Sequence, residues 1–258
     1  MSYSDFYCIA FGIGTRNSKG EWLEVFYPVP IFNPSEQDVK RYAEILEYKG
    51  GNAVINLNED KIGRLAPLIS DSRQQAILGM MRGTNRPRVA CFLETDSPIN
   101  STPEAYLKLH LLSQRHAKPN AINLEGIFPQ LPNVAWTNEG AIDLSELTDA
   151  QLQARAEGRL LEVSSVDKFP KMTNYVVPHG VRIAHSARVR LGAYLGEGTT
   201  VMHEGFVNFN AGTLGTAMVE GRLSQGVTMG NGSDLGGGAS TMGTLSGGGD
   251  IVVSIGED

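Results

Sequence analysis

Residues 183–211 read IAHSARVRLGAYLGEGTTVMHEGFVNFNA, and an aliphatic side chain returns at every sixth position of this stretch. The repeating aliphatic residues are Ile183, Val189, Leu195, Val201 and Val207. The residues four positions after each of them are Ala187, Ala193, Thr199, Gly205 and Ala211. An amphipathic helix repeats every three to four residues and a plain strand every two. A period of six instead predicts short strands joined by tight corners, where a small residue lets the backbone turn.

A glycine-rich stretch further along the chain has the same period. Residues 219–249 read VEGRLSQGVTMGNGSDLGGGASTMGTLSGGG, a composition typical of a flexible linker. Leu223, Met229 and Leu235 nevertheless lie six residues apart, each followed after four positions by Val227, Ser233 or Ala239. We therefore interpret the stretch as packed structure. The register changes phase near 212–216 and 242–250, where we expect loops, and loops are where function usually lies on a repeat scaffold.

The chain changes composition near Pro178. Its twelve prolines all lie at or before that residue, whereas nineteen of its thirty glycines follow it. We therefore predict a mixed α+β domain over residues 1–177 and a repeat domain over 178–258. Upstream, strands are predicted in FYCIAFGIGT, EWLEVFYPVPIF and PRVACFLET, and amphipathic helices within 33–48 and near 73–82, 102–116 and 145–157. Ser101 and Glu104 predict a capping box at the start of the third helix.

Overall charge and cysteine content restrict the classes of function. The 258 residues carry a formal net charge of -6, which argues against general electrostatic binding to nucleic acid or to an anionic membrane. Cys8 and Cys91 each lie in an apolar, strand-prone run and are predicted to be buried thiols, although the sequence alone leaves a disulfide open. Two cysteines favour a reducing compartment. With no long apolar segment, the sequence predicts a cytoplasmic protein that does not span a membrane.

The six-residue period is the hexapeptide-repeat signature, which implies a left-handed parallel β-helix with three hexapeptides in each coil. The surrounding sequence is more specific. The runs VDKFPKMTNYVVPHGVRIA, VMHEGFVNFNAGT, MVEGRLSQGV and GGGASTMGTLSGGG resemble the tetrahydrodipicolinate N-succinyltransferases of bacterial lysine biosynthesis, in the branch typified by actinobacterial and pseudomonad members. STPEAYLKLHLLS and LPNVAWTN extend the resemblance into the N-terminal half. It implies transfer of succinyl from succinyl-CoA to the amino group of a ring-opened dicarboxylate, tetrahydrodipicolinate.

The same resemblance implies roles for particular residues. The acidic catalytic residue of the VEGR motif corresponds to Glu220, which can act as a general base or attack the thioester to give a mixed anhydride. Arg222 resembles a residue that binds a carboxylate, a task suited to the paired donors of a guanidinium. Gly237 and Ser240 resemble further ligand contacts. Gly243 resembles a backbone N–H donor to the oxyanion of the tetrahedral intermediate.

A metal and two alternative functions are also considered. Glu204 resembles a Mg²⁺ ligand near a three-fold axis, but its companion position, acidic in some relatives, is Ala187 here. His185 and His203 lie eighteen residues apart and are expected to stack on successive coils, which makes a zinc enzyme like the γ-class carbonic anhydrases one alternative. The second alternative is a non-catalytic trimeric scaffold.

The resemblance finally implies a homotrimer with each active site built between neighbouring subunits. Members of the family continue past the SIGE motif at 254–257 with further coils that supply much of the coenzyme A site. We therefore expect the chain as given to be deficient in catalysis.

Overall fold

A computed structural model describes residues 6–243 and 252–256. It divides the chain into two compact units. The first comprises Met1–Leu107 and Leu124–Lys168, and the second comprises Lys108–Asn123 and Phe169–Asp258. The domain boundary at 177/178 stays a prediction, since these units are compact bodies rather than separately folding domains. Within the described residues, none of the helices combines the length and the hydropathy that crossing a bilayer requires.

The first unit is built from antiparallel sheet and helices. Its strands are β1 Cys8–Arg16, β2 Trp22–Phe26, β3 Ile31–Phe32, β4 Ala53–Asn56, β5 Arg88–Leu93, β6 Val134–Thr137, β7 Gly140–Asp143 and β8 Val163–Asp167. Its helices are α1 Glu36–Leu46, α2 Glu59–Leu65, α3 Ser72–Met80, the first half of α4 Thr102–Ser113, α5 Ile127–Gln130 and α6 Leu147–Ala156. One sheet has the order β2-β1-β5-β4, with β3 also paired to β1, and the other has the order β7-β6-β8.

The core of this unit lies between the five-stranded sheet and helices α1 to α3. Ile9 and Phe11 lie on the same face of β1. Phe11 meets Tyr42 of α1 edge to face, with 5.7 Å between ring centroids. Cys8 and Cys91 are buried free thiols, as predicted, and burial raises the pKa of the Cys8 thiol. That thiol therefore stays protonated and unreactive at neutral pH.

The predicted strands and helices of this unit are present, with ends that differ by a few residues. The capping box is present in altered form. Ser101 Oγ accepts from the N–H of Glu104 at 3.4 Å, but the Glu104 carboxylate accepts from the N–H of Asn100, one residue earlier than the usual pattern. Strand β4, helix α2 and the sheet of β6 to β8 were not predicted from the sequence.

The second unit contains a left-handed parallel β-helix of about three turns. Its strands are β9 Arg182–Ile183, β10 Tyr194–Leu195, β11 Thr199–Val201, β12 Phe206–Val207, β13 Gly212–Thr213, β14 Ala217–Val219, β15 Arg222–Leu223, β16 Thr228–Met229, β17 Asp234–Leu235 and β18 Ser254–Ile255. They form three faces, each made of parallel strands. The first face has the order β17-β14-β11-β9, the second pairs β12 with β15, and the third has the order β10-β13-β16-β18.

The predicted six-residue register points its aliphatic residues inward. Val189, Leu195, Val201 and Val207 have no exposed surface, and Ile183 near the start of the β-helix is partly buried. Burying one such side chain contributes roughly 1.5–3 kcal/mol, so each coil adds several stabilising contacts. Leu223, Met229 and Leu235 are buried in the glycine-rich stretch as well, so that stretch is packed structure and not a linker.

The first phase break lies later than the sequence predicts. Residues 212–216 stay in register, because Thr213 occupies the next inward position, fully buried, and Val219 the one after it. The polar Thr213 is tolerated inside the β-helix because its hydroxyl lies 2.6 Å from the hydroxyl of Thr199 and accepts from the N–H of Gly196. The prediction of a break at 212–216 was therefore wrong. Most of the second predicted break, 242–250, lies outside the described residues.

Strand pairing locates the break at Glu220 and Gly221. On the first face Thr200 pairs with Met218, eighteen residues on. On the second face Phe206 pairs with Arg222, sixteen residues on. The corner between β14 and β15 is thus two residues shorter than the corner one coil below. It is the shortened corner of the β-helix.

Candidate active site

The shortened corner carries the predicted acidic catalytic residue. The N–H groups of Glu220 and Gly221 both donate to the carbonyl oxygen of Leu235, at 2.9 and 3.0 Å. Gly221 is required here for steric reasons, since a Cβ on it would lie 2.5 Å from the carbonyl oxygen of Ala239. Two donors on one acceptor and a glycine in the turn fix the backbone that carries Glu220.

Glu220 is half-buried and faces the glycine loop of the next coil, residues 236–238. A Cβ built on Gly237 would lie 3.4 Å from Oε2 of Glu220, and a Cβ on Gly236 would have open space around it. Neither of these two glycines has the left-handed backbone that favours glycine. Among the residues that the structure describes, therefore, nothing sterically requires glycine at 236 or 237. Glycines there leave room for a ligand beside the carboxylate.

Arg222 and Ser240 are neighbours on the second face. Arg222 Nε donates to Ser240 Oγ at 3.0 Å, and the backbone N–H of Arg222 donates to the carbonyl oxygen of Ala239 at 2.9 Å. Both side chains are exposed. The hydrogen bond through Nε aims the guanidinium and leaves its terminal nitrogens in position to bind a carboxylate.

Gly243 lies further along the same coil, above residues 224 and 225. A Cβ on Gly243 would lie 2.9 Å from the carbonyl oxygen of Gln225 and 3.0 Å from Cβ of Ser224, so this close stacking requires glycine. The structure brings Glu220 next to Gly237 and Arg222 next to Ser240. It places Gly243 over the following corner instead.

Sequence reasoning missed the residues that hold this coil in place. Ser224 Oγ donates to the carbonyl oxygen of Thr241 at 2.7 Å, and Thr241 Oγ1 donates to the carbonyl oxygen of Arg222 at 2.9 Å. Gln225 Oε1 is shielded from solvent and has no hydrogen-bond partner in the described part of the chain. The sequence did offer one signal, which is the spacing of these polar residues. Outward-facing polar residues one coil apart can bond to each other.

The predicted metal-site residues do not converge within one chain. Glu204 is exposed, its carbonyl oxygen accepts from Nη2 of Arg188 at 2.7 Å, and Ala187 offers no ligand. His185 and His203 occupy equivalent positions on successive coils, as the pairing of β9 with β11 requires. A search of residues 6–243 and 252–256 finds no group of three histidine, cysteine, aspartate or glutamate side chains that could hold a metal ion.

A left-handed β-helix with a carboxylate and an arginine at a shortened corner has the architecture of an acyltransferase built from hexapeptide repeats. The comparisons with known proteins make this more specific. Two family profiles match, "Tetrahydrodipicolinate N-succinyltransferase N-terminal" over residues 53–129 and "Tetrahydrodipicolinate N-succinyltransferase middle" over residues 131–171. The chain belongs to the tetrahydrodipicolinate N-succinyltransferase family.

Relatives and a solved structure support this assignment. A Pseudomonas putida protein named 2,3,4,5-tetrahydropyridine-2,6-dicarboxylate N-succinyltransferase is 60% identical over 97% of this chain and 74% of its own length. A Pseudomonas aeruginosa protein of the same name is 61% identical over 100% of this chain and 75% of its own length. A Campylobacter jejuni crystal structure, described as a 2,3,4,5-tetrahydropyridine-2-carboxylate N-succinyltransferase, superposes with a TM-score of 0.84 at 28% identity, covering 93% of this chain and 68% of that one. The family assignment decides against the carbonic anhydrase and scaffold alternatives.

Proposed function

We propose that this chain transfers the succinyl group of succinyl-CoA to the amino group of ring-opened tetrahydrodipicolinate, a step of lysine and diaminopimelate biosynthesis. The observation that carries the proposal is the cluster of Glu220, Gly237, Arg222 and Ser240 around the shortened corner. It occurs in a chain that is 60% identical to a relative named for this reaction.

Glu220 is the proposed catalytic carboxylate. In one route it takes a proton from the attacking amine, which then forms the amide bond as the C–S bond breaks and CoA leaves as the thiol. In the other, its oxygen attacks the thioester carbonyl, CoA leaves, and the amine resolves the mixed anhydride and regenerates the carboxylate. Either route requires the negative carboxylate.

Arg222 and Gly243 act on other parts of the reactants. Arg222, aimed by Ser240, binds a carboxylate of the acceptor or of the succinyl group. The backbone of Gly243 stabilises the oxyanion of the tetrahedral intermediate, where the lack of a side chain permits close approach. Gly243 lies over residues 224 and 225, away from the corner that holds Glu220. A site shared between neighbouring subunits of a homotrimer accommodates this arrangement, and we propose that assembly.

The described residues of a single chain do not supply a magnesium site at Glu204. Mg²⁺ prefers six oxygen ligands in near-octahedral geometry, and one exposed carboxylate beside Ala187 does not fit that requirement. Glu204 as a ligand therefore depends on copies of itself from the other subunits of the proposed trimer, and no step of the reaction is assigned to a metal. The two free buried thiols favour a cytoplasmic location.

The proposal is tested in a version of the protein that carries the further C-terminal coils of the family, by the release of free CoA thiol from succinyl-CoA, dependent on tetrahydrodipicolinate. We expect Glu220→Gln to lower kcat by roughly 10²-fold or more with fold and assembly intact, because the amide can neither take a proton nor attack a thioester. Arg222→Ala should mainly raise KM. Wild-type turnover in Glu220→Gln would refute the assigned role. Succinylation of a Glu220 peptide in the absence of acceptor would identify the anhydride route.

A further inference from the structure

A segment from the N-terminal half of the chain, Lys108–Asn123, belongs to the same compact unit as the β-helix. It is hydrogen-bonded to successive coils. At the first coil, Arg115 Nε donates to the carbonyl oxygen of Leu195 at 2.6 Å and Arg115 Nη2 to that of His179 at 2.9 Å. Ser113 Oγ accepts from the N–H of Gly192 at 2.8 Å. The segment is therefore anchored to the coil farthest from the predicted catalytic residues.

A second anchor lies at Asn120, which bonds to the next two coils toward the candidate site. The N–H of Asn120 donates to Asn210 Oδ1 at 2.8 Å, and Asn210 Nδ2 donates to Asn120 Oδ1 at 3.1 Å, so the two residues are reciprocally paired. Asn120 Nδ2 donates to the carbonyl oxygen of Gly226 at 2.9 Å. The N–H of Gly226 in turn donates to the carbonyl oxygen of Asn210 at 2.9 Å. One asparagine thus fixes the spacing between two successive coils.

The corner held by Asn120 supports Gly243. Gly226 directly follows Ser224 and Gln225, the two residues on which Gly243 stacks with no space for a Cβ. Because close-packed backbone has no slack, a change in the height of the 224–226 corner moves the backbone of Gly243 with it. The connection runs from Asn120 through Gly226 and Gln225 to Gly243.

We propose that Asn120 is a positioning residue for the acyl transfer, because it holds the 224–226 corner at the height that places the Gly243 backbone against the reacting carbonyl. This inference rests on the proposed function, in which Gly243 stabilises the oxyanion. Asn120 touches no reactant. A displacement of about 1 Å at a reacting centre can lower the rate by roughly 10²-fold. The loss of a hydrogen bond that positions the Gly243 backbone can therefore lower turnover, although Asn120 lies outside the reacting centre.

The backbone conformation provides a matched pair of variants. Asn120 and Arg115 both have left-handed φ angles, of 65° and 66°, which glycine adopts without strain. Asn120→Gly removes the side-chain bonds of Asn120 to Gly226 and Asn210 and keeps only its backbone N–H to Asn210. Arg115→Gly removes the Arg115 bonds at the first coil and leaves the bond between Ser113 and Gly192. Asn120→Asp keeps Oδ1 as the acceptor for Asn210 but loses the donor to Gly226, which isolates the link to the candidate site.

Asn120→Gly and Asn120→Asp are expected to lower kcat by about 10- to 100-fold with little change in KM for either substrate. Arg115→Gly is expected to keep kcat near that of the wild type, even if its melting temperature falls by as much as that of Asn120→Gly. Equal kcat values in Asn120→Gly and Arg115→Gly would overturn the proposal. Wild-type kcat in Asn120→Asp would also overturn it, because the Gly226 bond would then be irrelevant.

Hydrogen exchange supplies a second measurement that does not depend on activity. Deuterium uptake of peptides containing Gly243 is expected to rise in Asn120→Gly and not in Arg115→Gly. Equal uptake in the two variants would show that Asn120 does not hold the backbone around Gly243 in place. If a wild type extended by the further C-terminal coils of the family shows no release of CoA that depends on tetrahydrodipicolinate, the proposed function fails, and the exchange result still decides whether Asn120 holds this part of the coil.

Discussion

Glycines in this protein serve two separable purposes at the residue scale. Gly221 is required by the packing of the β-helix, because a Cβ there would lie 2.5 Å from one carbonyl oxygen and 3.0 Å from another. Gly237 meets no such obstacle in the described part of the chain, since its Cβ would make only an ordinary contact with Oε2 of Glu220. Glycines of the second kind indicate where something other than the chain itself approaches the backbone.

Alanine at these two positions should therefore give opposite results. Gly237→Ala should leave the melting temperature unchanged or slightly higher, because it restricts the unfolded chain without a clash in the folded one, a gain of about 0.4–1 kcal/mol at compatible sites. Its turnover should fall because the methyl group occupies space for the substrate. Gly221→Ala should lower the melting temperature. Calorimetry and the CoA-release assay measure both effects, and wild-type kcat/KM in Gly237→Ala would contradict a ligand at that loop.

At the scale of elements, a carboxylate at the end of β7 holds the turn between β1 and β2. Asn17 Nδ2 donates to Asp143 Oδ2 at 2.8 Å, and the N–H and hydroxyl of Ser145 both donate to Asp143 Oδ1 at 2.8 Å. These donors, with Asn17 first among them, lower the pKa of Asp143 below its ordinary value. Hydrogen bonds to the ionised form explain the direction of the shift.

The sign of this shift predicts how stability depends on pH. A carboxylate whose pKa is lower in the folded state stabilises the protein above its unfolded pKa, about 3.9, and loses that contribution as pH falls through the folded pKa. The difference in unfolding free energy between wild type and Asp143→Asn should therefore be positive at pH 7 and shrink below about pH 4. Asp149→Asn is the control, because Asp149 is exposed and makes no hydrogen bond or ion pair in the described structure. A difference that is constant with pH would contradict this account.

At the scale of the whole molecule, the open question is assembly. Glu220 and Gly243 lie at different corners of one chain, an arrangement that suits the site proposed to be shared between neighbouring copies. Light scattering at micromolar concentration should give a mass close to three times the 27.9 kDa of the chain. A folded, strictly monomeric species would refute both the trimer and the shared site.

Magnesium provides a further readout of the same assembly. If the three Glu204 carboxylates meet at the axis, Mg²⁺ should raise the melting temperature of the wild type, since a ligand that binds only the folded state stabilises it. Glu204→Gln should abolish that rise. An equal response of wild type and variant would remove Glu204 as a ligand.

The sequence by itself determined the β-helix. A period of six, repeated without a gap from Ile183 to Val207, has few physical solutions, because each inward aliphatic must be followed by a corner. Glu220 and Arg222 were predicted from the resemblance of the VEGR motif to the family, and their roles stay predictions. These patterns involve residues that are close together in the chain, so they can be recognised from the sequence alone.

Tertiary structure decided what depends on contacts between distant residues. Thr213 breaks the aliphatic pattern, and only the hydroxyl of Thr199 on the preceding coil shows why it can be buried. The sequence showed that the register changes phase, but only strand pairing located the shortened corner at Glu220 and Gly221, because a two-residue difference between coils is defined by the partner strand. The bond from Asn120 to Gly226 joins residues 106 positions apart in the chain. No sequence period reports such a contact, since it exists only once the segment has packed against the completed coils.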